Sequence, residues 1–131
     1  MATRKHSSAG GSEAGFLAGY DARRFERPSV TVDVSLLAVR RGKLVTWLVQ
    51  RDAHPHRGRW GLPGGFVQLR EPLHAAAARV LAEKSGLRDV FLEQLFSFGA
   101  PGRDPRTRVI SIAYYALILS LIHISEPTRP Y

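Results

Sequence analysis

The sequence contains no cysteine, which removes disulfide frameworks, thiolate metal sites and thiol nucleophiles from consideration. Acids are also scarce: 11 Asp and Glu stand against 19 Lys and Arg, giving a formal net charge of +8. Lysine is confined to Lys5, Lys43 and Lys84, so arginine carries the excess. Such a balance suits phosphate-bearing partners, either small nucleotides or nucleic acid, and is equally compatible with a basic composition that serves no partner. No apolar run reaches the length of a membrane span, and the N-terminus lacks the apolar core of a signal peptide. A cytoplasmic protein with no membrane partner is the default reading. No internal repeat is visible. What is present is enough for one domain with one core: 131 residues, 44% apolar and 23% charged.

Read in order, residues 1–19 are rich in Ser, Gly and Ala without periodicity, and are expected to be a disordered tail. Val30, Val32 and Val34 alternate with Thr31, Asp33 and Ser35, as a half-buried strand requires, and the strand is expected to run to about Val39. Arg41-Gly42-Lys43 turns it into an antiparallel partner over Leu44 to Gln50. Arg51 to Arg59 is a polar loop dense in positive charge, and its His54 and His56, with no third ligand nearby, read as solvated rather than metal-binding. Trp60 to Val67 is a short strand, Val90 to Phe98 another, and Val109 to Ile118 a buried one rich in β-branched and aromatic residues. The Gly/Pro loop between the last two carries Arg103, Arg106 and Arg108.

The stretch from Trp60 to Leu87 organises the rest. Gly64-Gly65 allow positive φ and close approach of backbone to a ligand. Pro72 suits a first helical turn and Gly86 the position just past a helix end, which brackets a helix over about Pro72 to Ser85. Leu73, Ala76, Ala77, Val80 and Leu81 form its apolar stripe, and Arg79, Glu83 and Lys84 lie opposite. Arg79 and Glu83, one turn apart, are placed to pair. By periodicity alone this is an ordinary amphipathic helix with a solvated face.

Gly65, five residues, Glu71, seven residues, Arg79, and then Leu81, Glu83, Gly86 and Leu87 resemble the Nudix box, the glycine-loop-helix signature of Nudix hydrolases. Leu62-Pro63-Gly64-Gly65-Phe66-Val67 is similar to the residues that precede it in that family. The resemblance implies an α/β fold, the Nudix α/β/α sandwich with a mixed sheet, over residues 20–118. It also implies that box glutamates hold divalent cations, magnesium for example, which neutralise a substrate diphosphate and orient an attacking water. On that pattern Glu71 and Glu83 are the retained metal ligands, Gly65 offers a carbonyl, and Arg79 orients the glutamates. Arg51, Arg59, Gly64, Gly65, Arg103 and Arg106 are then the expected contacts to a nucleotide diphosphate. Two positions depart from the pattern, since Val80 and Lys84 stand where the family has glutamates. One negative charge is lost at the first and two units change at the second, which weighs against a tightly held metal and so against turnover.

The segment from Phe91 to Leu117 resembles both ADP-ribose-type Nudix proteins and the Nudix-related transcriptional regulators of NAD metabolism. Two functions follow from the resemblance. The first is a domain that senses an ADP-ribose-like nucleotide with little or no hydrolysis, in a homodimeric regulator whose DNA-binding part lies in a missing C-terminal domain. The second is a magnesium-dependent pyrophosphohydrolase acting on ADP-ribose or a related nucleotide. Residues 119–131, LSLIHISEPTRPY, resemble a translated sequencing adapter and are expected to be non-native. The domain is accordingly expected to be C-terminally truncated.

Overall fold

The structure is a computed structural model, and it describes residues 11–120. Residues 1–10, most of the N-terminal tail, lie outside the described residues, as does all but the start of the expected adapter segment. A short helix, α1 (Glu13–Gly19), precedes the domain, with Ser12 capping it through the Gly15 N–H. This corrects the expectation of disorder to residue 19. None of its residues is buried, and the helix rests on its cap and on contacts among Phe16, Tyr20 and Phe25.

The domain is built on β1 (Ser29–Arg40), which spans the length of the sheet. Arg41 and Gly42 both take positive φ, as a tight hairpin turn demands, and return the chain as antiparallel β2 (Lys43–Thr46). The expected single strand over 44–50 is broken. Trp47 donates its N–H to the Leu36 carbonyl and turns its ring onto the core, so β3 (Val49–Gln50) leaves the main sheet. There it pairs with β4 (Trp60–Gly61). The expected strand over 60–67 divides as well, because Pro63 has no N–H to give a ladder. Its second half, β5 (Gly64–Phe66), pairs antiparallel with Thr31 to Asp33 of β1.

Helix α2 (Leu73–Ser85) lies within a residue of its expected bounds. Gly86 closes it in the left-handed conformation at φ 79°, donating to Ala82, and buried Ser85 bonds the Leu81 carbonyl. β6 (Glu93–Phe98) and β7 (Val109–Ile118) follow, antiparallel to each other. β7 runs parallel to β1 over ten residue pairs, giving the order β2-β1-β7-β6, with β5 sharing with β2 the edge of β1 opposite β7. The sheet is therefore mixed, as expected.

The core lies between one face of this sheet and α2. Ala76, Ala77, Val80 and Leu81 pack on Val32, Val34, Leu36, Ile112, Tyr114 and Ala116, and small alanines let the helix sit close to the strands. Burial of each large aliphatic side chain there is worth about 1.5–3 kcal/mol. The other sheet face is covered by no helix among the described residues. It exposes Phe66, Phe96, Phe98 and Leu117, and its lower half forms a cleft.

Candidate functional site

The cleft has a volume of about 700 Å³. Its floor is the outward side of β1 and β7, where Thr31, Asp33 and Ser111 stand, and its rim comes from the β3–β4 region and the loop before β7. Gly64 and Gly65 form one wall, and Lys84, from the last turn of α2, reaches it beside them. Neither glycine takes the positive φ that its missing Cβ allows. Their need is steric instead. A Cβ on Gly64 would collide with Asp33 Oδ1 and stand 3.0 Å from the Val32 carbonyl, and one on Gly65 would stand 3.1 Å from Val80 Cγ2.

Four cations line the cleft: Arg51, Lys84, Arg103 and Arg106. Arg51 is stapled into its own loop by a bond from Nε to the Pro55 carbonyl (2.7 Å), and its backbone closes on Arg59 and Gly58. Arg106 is held by Asp104 through Nη2 (2.8 Å) and Nε (3.1 Å), and lies 5.4 Å from the Phe66 ring centre. That pairing holds the Asp104 carboxyl well below its ordinary range and raises Arg106 further. Arg59 faces solvent and does not line the cleft, since its backbone is spent on the turn that sets Arg51. His54 does not line it either, and among the described residues no three His, Asp or Glu side chains converge to hold a metal.

Glu71, Arg79 and Glu83 are brought together, but outside the cleft. Arg79 donates to both oxygens of Glu71 (2.7 and 3.0 Å), to Glu83 (3.2 Å) and to the Phe66 carbonyl (2.9 Å). Glu71 also accepts from the Gln68 N–H, and its pKa is lowered, chiefly by the Arg79 hydrogen bonds. The Arg79 guanidinium is raised for the same reason. Both retained glutamates are thus committed to an arginine. On the neighbouring face of the helix, Val80 is 1% exposed in the core and Lys84 opens into the cleft. The donor set fits a divalent cation poorly: Val80, buried, has no ligand atom and Lys84 brings an ammonium to the cleft, which leaves only Glu71 and Glu83, both paired with Arg79.

Several site residues escaped the sequence reading. Thr31 and Asp33 read as the solvated side of β1, and Ser111 as a strand residue, because β1 and β7 meet only in the fold. A hydroxyl inside the apolar run VISIAYYALI was the available signal. Trp47 and Trp60 also line the cleft, the latter 64% exposed.

This mixed sheet with its glycine turn and box helix is an α/β fold of the Nudix type, and residues 28–127 match the family described as the NUDIX domain. The chain belongs to the Nudix family. It is 42% identical over 109 residues to the ADPR responsive transcriptional repressor NtrR of Acinetobacter baylyi, covering 82% of this chain and 44% of that protein. It is 35% identical over 92 residues to the ADP-ribose pyrophosphatase of Methanocaldococcus jannaschii, covering 70% and 52%. The Nudix domain of Shewanella oneidensis NrtR, solved in complex with ADP ribose, superimposes with a TM-score of 0.77 at 36% identity, over 88% of this chain and 80% of that one. The chain therefore spans about half the length of the curated relatives it matches.

Proposed function

We propose that this Nudix domain binds an ADP-ribose-like nucleotide diphosphate and serves as the ligand-sensing part of a transcriptional regulator, with little or no hydrolysis. The observation that carries the reading is the division of charge on α2: Glu71 and Glu83 are tied to Arg79 outside the cleft, while Lys84 faces into it. In this reading the diphosphate is held by side-chain cations rather than through a metal. Arg51, Arg103 and Lys84 supply charge-assisted donors, Arg106 gives what Asp104 leaves, and Trp60 offers a flat aromatic face to a base. The similarity to an ADPR-responsive repressor and to a domain solved with ADP ribose supports that ligand class. DNA contact belongs, on this proposal, to a part of the protein that this chain does not span, and the regulator acts as a dimer in the cytoplasm.

The second reading, a magnesium-dependent ADP-ribose pyrophosphohydrolase, is favoured by the similarity to the archaeal pyrophosphatase. Calorimetry with ADP-ribose, with and without magnesium, paired with an assay for AMP release, separates the two. Binding that ignores magnesium, with AMP at background, is the expected result. Rapid magnesium-dependent release of AMP would instead establish the enzyme, and an absence of binding would remove both readings.

A further inference from the structure

We propose that Asp33 is the hydrogen-bond acceptor for a sugar hydroxyl of the bound ligand, positioned by a hydroxyl relay that runs from Thr31 through Ser111. The inference rests on the nucleotide-diphosphate reading above and assigns the part of that ligand which the cations do not hold.

The order of protons in the relay follows from its ends. Ser111 Oγ donates to Asp33 Oδ2, which as a carboxylate oxygen only accepts. Having spent its proton there, Ser111 must accept from Thr31 Oγ1, 2.7 Å away. Ser111 is 2% exposed, so the middle of the relay is shielded from water that would compete for it. The three residues come from β1 and β7, whose parallel register sets Thr31 opposite Ser111. One carboxylate oxygen is thereby fixed by rigid strands.

The other oxygen is available. Asp33 Oδ1 lies over the Gly64 backbone, in the space that a Cβ there would fill, and among the described residues no hydrogen bond or ion pair engages it. This carboxylate therefore stands without a cation in a cleft lined by Arg51, Lys84, Arg103 and Arg106. Toward a diphosphate it is a cost, since like charges repel. A ligand offsets that cost only by presenting a donor to Oδ1. The phosphates of a nucleotide diphosphate have no proton to give near neutral pH, whereas the hydroxyls of the adjoining sugar do. A neutral diol beside an anionic phosphate matches a carboxylate set beside cations.

Asp33→Asn tests this while preserving shape: the amide oxygen still accepts from Ser111, and the amino group replaces the free acceptor by a donor. Binding of three probes to the chain and to this variant would be measured by calorimetry. ADP-ribose and its hypoxanthine analogue should both weaken about tenfold or more, the size of a lost charge-assisted hydrogen bond. Inorganic pyrophosphate, which has no hydroxyl, should bind as tightly or more tightly, because a repulsive charge has gone. That opposition of sign is what a merely structural aspartate would not produce. Weakening of all three probes would make Asp33 a structural residue and overturn the proposal. Weakening for ADP-ribose alone would assign Asp33 to the adenine amino group, and unchanged or tighter binding of all three would leave it without a ligand contact; either overturns it. Failure of the unaltered chain to bind ADP-ribose would remove the underlying functional reading, and this one with it.

Discussion

Helix α2 presents two neighbouring faces, one residue apart, that differ in composition and in consequence. On one, Arg79 and Glu83 join Glu71 in an ion-pair network at the rim of the domain. On the other, displaced by a single residue, Val80 is sealed in the core and Lys84 opens onto the cleft. A rotation of about 100° per residue is enough to separate a side chain held in an ion pair from one that lines the cleft. The comparison teaches that residues one position apart on a helix meet entirely different surroundings.

The most severe way to break the comparison is to put the missing carboxylate back at the buried position. Val80→Glu places an unpaired charge among Ala77, Leu36 and Val34, so it should destabilise the domain by roughly 3–5 kcal/mol, a large share of a typical total. Denaturant unfolding would show it, and a variant as stable as the parent would mean that position 80 reaches the cleft.

On the cleft side, Lys84→Glu should leave the melting temperature nearly unchanged, because the residue is exposed, while ADP-ribose affinity falls roughly ten- to a hundredfold. If stability collapses and affinity holds, the two faces have been assigned the wrong way round.

The loop arginines sharpen the contrast between claimed and unclaimed charge. Arg51 has no carboxylate partner among the described residues, whereas Arg106 is bonded twice to the side chain of Asp104. Arg51→Ala should cost about tenfold in ADP-ribose affinity, and Arg106→Ala less. Equal losses in titration calorimetry would show that the Asp104 pairing does not discount Arg106.

The smallest effect belongs to the Arg79 face. Glu71 titrates below its ordinary value of 4.5 in the folded domain, so its contribution to stability is fully present above that value. It fades as pH falls through the lowered folded value. Stability measured from pH 6 downward should therefore stay level until about 4.5 and then decline, and Glu71→Gln should flatten part of that decline without altering ADP-ribose affinity near neutrality. A loss of affinity in Glu71→Gln would place that carboxylate back in the site.

Much of this was legible in the chain alone. The bounds of α2 follow from Pro72 and Gly86, because the first residue has no N–H to lose and the last has no Cβ to strain at positive φ. The strand pattern of β1 and β7 and the buried stripe on α2 follow from periods of two and 3.6 residues, which are local properties. The box spacing identified the family for the same reason: the motif is contiguous. The tertiary structure alone decided the rest. That Trp47 and Pro63 each break a strand depends on where the ring packs and which ladder lacks a donor. The pairing of Arg79 with Glu83 was legible from their one-turn spacing, whereas that Asp33 accepts a hydrogen bond from a serine 78 residues distant, and that Thr31, Asp33 and Ser111 meet on one cleft floor, depends on β1 meeting β7. Those contacts join segments far apart in the chain, and periodicity carries no information about which distant strands will pair.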